Sequence, residues 1–92
     1  MLRYRYSELA LCWNKEKFKE LLTVLTKELE KEFNQPEGIM GISINQFDTE
    51  IKFRQIEIQV HSDTFLRADL HKLLDLKEIL EKDGILVILH IY

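Results

Sequence analysis

The stretch that decides the fold is Met40–His61, MGISINQFDTEIKFRQIEIQVH. Met40, Ile42 and Ile44 alternate with Gly41, Ser43 and Asn45, while Ile56, Ile58 and Val60 alternate with Glu57, Gln59 and His61. A period of two turns one side of each run toward a core and the other toward solvent, so the stretch is a β-hairpin. Parity changes between Ile51/Phe53 and Ile56/Ile58/Val60. With Asp48, Thr49 and Glu50 as the loop, Phe47 opposes Ile51, Asn45 opposes Phe53, Ile42 opposes Ile56 and Met40 opposes Ile58. Three-residue loops are common in hairpins, and this register needs no bulge. It sends Phe47, Ile51 and Phe53 to the face away from the core. A bulge at Arg54-Gln55 is the competing arrangement and returns Ile51 and Phe53 to the core.

Upstream of the hairpin, Phe18, Leu21, Leu22, Leu25, Leu29 and Phe33 recur at helical spacing from about Asn14, a competent N-cap. The helix ends near Asn34, where Asn-Gln-Pro-Glu-Gly stops it. Before it, Leu2, Tyr4 and Tyr6 alternate with Arg3 and Arg5, which predicts a strand from Leu2 to about Ser7. The helix start lies between Ser7 and Asn14. A start at Asn14 crowds Lys15, Lys17 and Lys19 at the positive end of the dipole, each mismatch costing about 0.3–1 kcal/mol. A start at Ser7 puts Glu8 in the first turn and moves the lysines into the interior.

Downstream, Ser62, Asp63 and Thr64 are N-cap candidates, and Leu66, Leu70, Leu73, Leu76 and Leu80 form a buried stripe. Gly84 is placed to end this helix after Lys82, and Ile85–Tyr92 is the last strand. The expected class is α+β, a ferredoxin-like βαββαβ sandwich with two helices on one face of an antiparallel sheet. Leu25, Ile42, Ile58, Leu73 and Leu80 share its core. If Leu2–Ser7 is unpaired, the alternative is αββαβ with a three-stranded sheet.

Ninety-two residues, 46% hydrophobic and 32% charged, suit one globular sandwich domain over residues 1–92. The longest apolar run, Ile85–Leu89, is far short of the roughly 20 residues of a membrane helix. The opening MLRYRYSEL has no apolar signal region, and one cysteine, Cys12, builds no internal disulfide framework, so a cytoplasmic location is expected. A net charge of −3 disfavours a general nucleic-acid binder, which gains affinity by neutralising phosphates.

Two segments carry more apolar side chains than one helix-covered face can use. Ile85, Val87, Leu89 and Ile91 satisfy one side of the last strand, leaving Leu86, Ile88 and Tyr92 on the other, interrupted by His90. In a ferredoxin-like order this is an edge strand, where such a sequence invites pairing. Phe47, Ile51 and Phe53 repeat the excess. Contiguous apolar surface marks association sites, so the expected function is protein interaction. An inhibitor, an immunity-type protein or an assembly adaptor fits, acting as a homodimer or on a protein partner. The expected partner-binding residues are Phe47, Ile51, Phe53, Leu86, Ile88, His90 and Tyr92, with no catalytic residue, metal or cofactor.

Two alternatives remain. Open-face aromatics on such a sheet can stack bases, with Tyr4, Tyr6 and Phe53 as platforms and Arg3, Arg5, Lys52 and Arg54 near phosphates. The Gly-aromatic spacing of an RNA-recognition strand is missing from IKFRQIEIQV, and Glu57 lies on that face. A small metal-dependent enzyme or regulator is the other, using His61, Asp63 and His71. Against it, His71, Asp75, Glu78 and Lys82 trace a solvated helix stripe, and no HExxH or cysteine cluster completes a ligand set. His90 and Cys12 lack any nucleophile–base partner. Lys15, Lys17 and Lys19 can converge on an anion or simply pair with Glu16 and Glu20.

Overall fold

The leucine-rich segments fold as helices and the alternating segments as strands. The computed structural model describes residues 2–34, 36–63 and 67–92, with the backbone alone described at 2–5 and 36. Helices α1 (Leu2–Leu11), α2 (Lys15–Glu32) and α3 (Arg67–Lys82) accompany strands β1 (Ile39–Asp48), β2 (Phe53–Val60) and β3 (Ile85–Ile91). A short 3-10 turn, Pro36–Gly38, leads into β1. The strands form one mixed sheet in the order β1-β2-β3. β1 and β2 are antiparallel and β2 and β3 parallel, with α3 as the crossover that parallel neighbours require.

The class is α+β in the order ααββαβ, and the ferredoxin-like arrangement is not reached. The expected strand Leu2–Ser7 is part of α1. Five alternating residues are too few to outweigh the segment after them. Glu8-Leu9-Ala10-Leu11 is built of strong helix formers, and Tyr6 and Leu9, three apart, are both buried. With no first strand to come between them, β2 and β3 pair directly, and the sheet is mixed instead of antiparallel. The open question of the helix start resolves as two helices. The chain breaks after Leu11, and α2 begins behind Asn14, whose side-chain oxygen accepts the Lys17 N–H at 3.0 Å.

The hairpin exists, but its register differs. Ile42 opposes Ile58 and Ile44 opposes Ile56. An irregularity at Asn45 then brings Gln46 opposite Gln55 and Phe47 opposite Arg54, and Asp48–Phe53 is the last pair. The loop is Thr49–Lys52, held by Asp48 Oδ1, which accepts from the N–H groups of Glu50 (2.9 Å) and Ile51 (3.2 Å). β1 therefore carries the irregularities, at Asn45 and again between Ile39 and Gly41, and none lies at Arg54-Gln55. An extra residue flips the parity of everything beyond it, so Ile44 and Phe47 share the helix side. Phe47 packs edge-on against Phe18 (ring centroids 5.3 Å) and Trp13 (6.0 Å).

Tyr6 and Leu9 of α1, Phe18, Leu22, Leu25 and Leu29 of α2, and Leu73, Leu76 and Leu80 of α3 meet Ile56, Ile58, Val60, Ile85 and Val87 in one core. Four of the five expected core residues are buried there, and Ile42 packs half-buried against them. On α3, Leu70 is half-buried, while Thr64 and Leu66 lie outside the described residues. Gly84, at φ +86°, ends that helix in a conformation open to glycine at little cost. Among the described residues, no helix is long and apolar enough to cross a membrane.

Candidate functional site

Among the described residues, helices line one side of the sheet only. Along β2, Arg54, Ile56, Ile58 and Val60 are buried, and along β3, Ile85 and Val87 are buried while Leu86 and Ile88 are exposed. The opposite face therefore carries Phe53, Gln55, Glu57 and Gln59 from β2, and Leu86, Ile88 and His90 from β3. It is chemically divided. Toward β1 it is polar, with the Asn45 amide donating to Gln55 Oε1 at 3.3 Å. Toward β3 it is apolar, broken by His90, whose Nδ1 lies 2.9 Å from Glu57 Oε1 and whose ring stacks on Tyr92 (centroids 4.3 Å, interplanar angle 10°).

Ladder geometry fixes which backbone groups the two edge strands leave free. The Tyr92 N–H donates to the Val60 carbonyl (2.9 Å), and the Tyr92 carbonyl accepts from Ser62 N–H (3.0 Å). Successive residues of a strand point their N–H and C=O groups to opposite sides. Leu86, Ile88 and His90 therefore bond to β2, and Val87, Leu89 and Ile91 face outward. The Val87 N–H turns to Glu81 Oε2 at 3.5 Å, as that orientation requires. Glu81 also accepts two bonds from Lys77 Nζ (2.9 and 3.0 Å), which hold its carboxyl below the usual carboxylate range. The same alternation puts the even-numbered residues of β2 toward β3 and the odd ones toward β1. Glu57 and Gln59 then bond to Ser43 and Gly41, and on β1 it is Ile42 and Ile44 whose backbone groups face the free edge.

The seven expected partner-binding residues divide. Leu86, Ile88, His90 and Tyr92 lie together on the β3 side, all exposed. Phe47, Ile51 and Phe53 do not form a patch: Phe47 is on the core side, Ile51 sits at the hairpin tip, 72% exposed, and Phe53 is alone on the open face. Of the proposed base platforms, Tyr6 is buried, and Tyr4's side chain lies outside the described set. Burial, with Glu32 and Glu28 adding to it, pushes the Tyr6 hydroxyl up to about 12.

Two buried charges escaped the sequence reading, and each is tied to the end of a helix. Arg54, 2% exposed, reaches across to the end of α1, where its Nη1 donates to the carbonyls of Leu9 and Cys12, each at 3.0 Å. Its guanidinium lies over the Trp13 ring, 3.9 Å from the centroid. Burial lowers its pKa, and its Nε has no hydrogen-bond partner. Asp69, fully buried, accepts from the backbone N–H (2.9 Å) and amide (3.3 Å) of Asn34, just past α2. Lys72, 3.8 Å from Asp69, donates to the carbonyl of Glu32, the last residue of α2. The signal was available in both cases. Arg54 has the parity of Ile56 and Ile58, and Asp69 continues the Leu73–Leu76–Leu80 stripe.

His61, Asp63 and His71 are not brought together. Among the described residues, no three metal-ligating side chains converge. His71, Asp63 and Asp75 are exposed, and His61 is half-buried with Nδ1 unpartnered. What the molecule presents is an open sheet face, half apolar, flanked by two strand edges. Comparison with protein-family models, with curated proteins and with solved structures finds no match.

Proposed function

We propose that this protein is a self-associating interaction module whose working surface is the β3 edge with the apolar half of the open face. One observation carries this: the outward backbone groups of Leu89 and Ile91 run beside exposed Ile88 and Tyr92, with no described strand beyond them. Such an edge is a template for another strand. A second copy is the occupant that matches it, because a two-fold axis makes one patch complementary to itself.

The register is set by which groups are free. Val87 N–H is engaged by Glu81, so pairing through Leu89 and Ile91 alone leaves that contact intact. An axis at His90 places Leu89 opposite Ile91 of the second copy, where the two exchange both backbone bonds. On the open face the same axis sets Ile88 against the second copy's Tyr92, an aliphatic–aromatic pair of the kind that stabilises sheets. Light scattering at micromolar concentration tests this. A dimer is expected, and Ile88→Lys, a change at an exposed position, yields a monomer with an unchanged far-UV CD spectrum. A monomeric wild type, or a dimer indifferent to Ile88→Lys, overturns the proposal.

A further inference from the structure

We propose that the groove between the start of α2 and the free edge of β1 docks an extended acidic peptide segment, which adds to β1 as a further strand. The groove encloses about 420 Å³ between Lys15, Lys19 and Leu22 on the helix and Ile42, Ser43 and Ile44 on the strand. Its floor is the part of β1 whose backbone faces outward, since Ile42 and Ile44 are the residues not bonded to β2. A strand laid there finds both donors and acceptors. It also covers the half-exposed side chains of Ile42 and Ile44.

Charge names the occupant. Lys15 and Lys19 are both exposed, one helical turn apart, and neither makes an ion pair among the described residues. Lys15 stands with Lys17 in the first turn of α2, at the positive end of its dipole, where basic side chains are unfavourable and an anion is welcome, and Lys19 opens the second turn. Thr23, a further polar side chain of the groove, is already committed, its hydroxyl donating to the Lys19 carbonyl at 3.0 Å. The spacing also fits. Residues four apart on a helix are separated by about 6 Å along its axis, and alternate residues of a strand by about 6.6 Å. Acidic side chains at every second position of the added strand can therefore meet the two lysines in turn. Main-chain bonds supply general affinity, and the lysines select acidic sequence.

The test uses the full chain and fluorescence anisotropy with a labelled seven-residue peptide alternating valine and glutamate. Saturable binding is expected, with amide shifts at Ile42 and Ile44. Replacing the glutamates by lysine should weaken binding about tenfold or more, and the double variant Lys15→Glu/Lys19→Glu should reverse that preference. N-methylation of the peptide at the alternate positions that face β1 should abolish binding, because it removes the donors a strand needs. Both lysines are on the surface, so a circular dichroism spectrum matching wild type is the control. Three outcomes overturn the proposal: no binding of the acidic peptide, an affinity unchanged in the double variant, or undiminished binding of the N-methylated peptide, which would mean attraction of charge without strand addition.

Discussion

Arg54 tests how a buried cation can serve this fold without a carboxylate. Replacing it by methionine keeps most of the side chain's volume and removes the guanidinium. The Cys12 carbonyl then loses its donor in a site where water cannot easily substitute, while the Leu9 carbonyl keeps the Cys12 N–H at 3.1 Å. Each buried acceptor left unsatisfied costs about 1–3 kcal/mol. Losing the stack on Trp13, centroid distance 3.9 Å, removes about another 0.5–2 kcal/mol. Opposing this, methionine escapes the desolvation of a charge whose Nε is already unpaired, a gain of a few kcal/mol. The net expectation is a loss of about 1–3 kcal/mol, a sizeable share of the stability of a small domain. Urea unfolding monitored by Trp13 fluorescence measures it, and an unchanged m-value would locate the effect in the folded state. Arg54→Lys should fall between, since an ammonium keeps the charge but not the planar stack or the fork. If Arg54→Met proves as stable as wild type, desolvation cancels the capping, and Arg54 adds nothing net to the hold that core packing of Tyr6 and Leu9 gives α1.

Tyr6 makes stability fall in alkali. Its hydroxyl is pushed up to about 12 from 10.0, so above pH 10 the unfolded chain releases this proton before the folded one does. Stability present below pH 10 is then lost between about pH 10 and 12, to a total on the order of 2–3 kcal/mol. Urea midpoints measured across that window should drop less steeply for Tyr6→Phe; equal slopes would show that Tyr6 is not the group responsible. For Asp69→Ala, a loss of about 2–4 kcal/mol is expected, because the Asn34 N–H and Lys72 lose a buried acceptor, while Asp69→Asn should lose less. Hydrogen exchange at the Asn34 amide should accelerate in the alanine variant, and protection equal to wild type would place the hold on the end of α2 elsewhere.

Long periodic segments were legible. Fifteen or more residues of leucine at three and four leave no competing pattern, so spacing alone gives α2, α3 and their buried stripes, and alternation gives the faces of Ile56, Ile58 and Val60. Short segments were not. Leu2–Tyr6 alternates by composition, and only packing of Tyr6 and Leu9 against the other helices decides for a helix. The bulge at Asn45 was illegible for a related reason. Nothing in Ile44-Asn45-Gln46-Phe47 requires an extra residue; the bulge is fixed by Phe47 finding Phe18 and Trp13 on the core side. The buried charges were legible by parity and overlooked by type. Arg54 and Asp69 keep core periodicity because each has partners at a helix end: Arg54 donates to carbonyls at the end of α1, and Asp69 accepts from the Asn34 N–H just past α2.

The lysines at the start of α2 show where a broken local rule carries information. A helix beginning at Ser7 would have spared Lys15, Lys17 and Lys19 the positive end of the dipole, yet the chain stops α1 at Leu11 and restarts behind Asn14. The break is set elsewhere. Trp13 must reach Phe47 and Arg54, and the Cys12 carbonyl must turn to the guanidinium, neither of which a continuous helix allows. The unfavourable placement costs about 0.3–1 kcal/mol per lysine, and glutamines in their place would remove that cost without touching the core. Sequences that keep such a conflict on the surface tend to keep it for a ligand. Here two of the three, Lys15 and Lys19, lie on the helix wall that faces the backbone groups β1 leaves unpaired, which is why the two observations are read as one site.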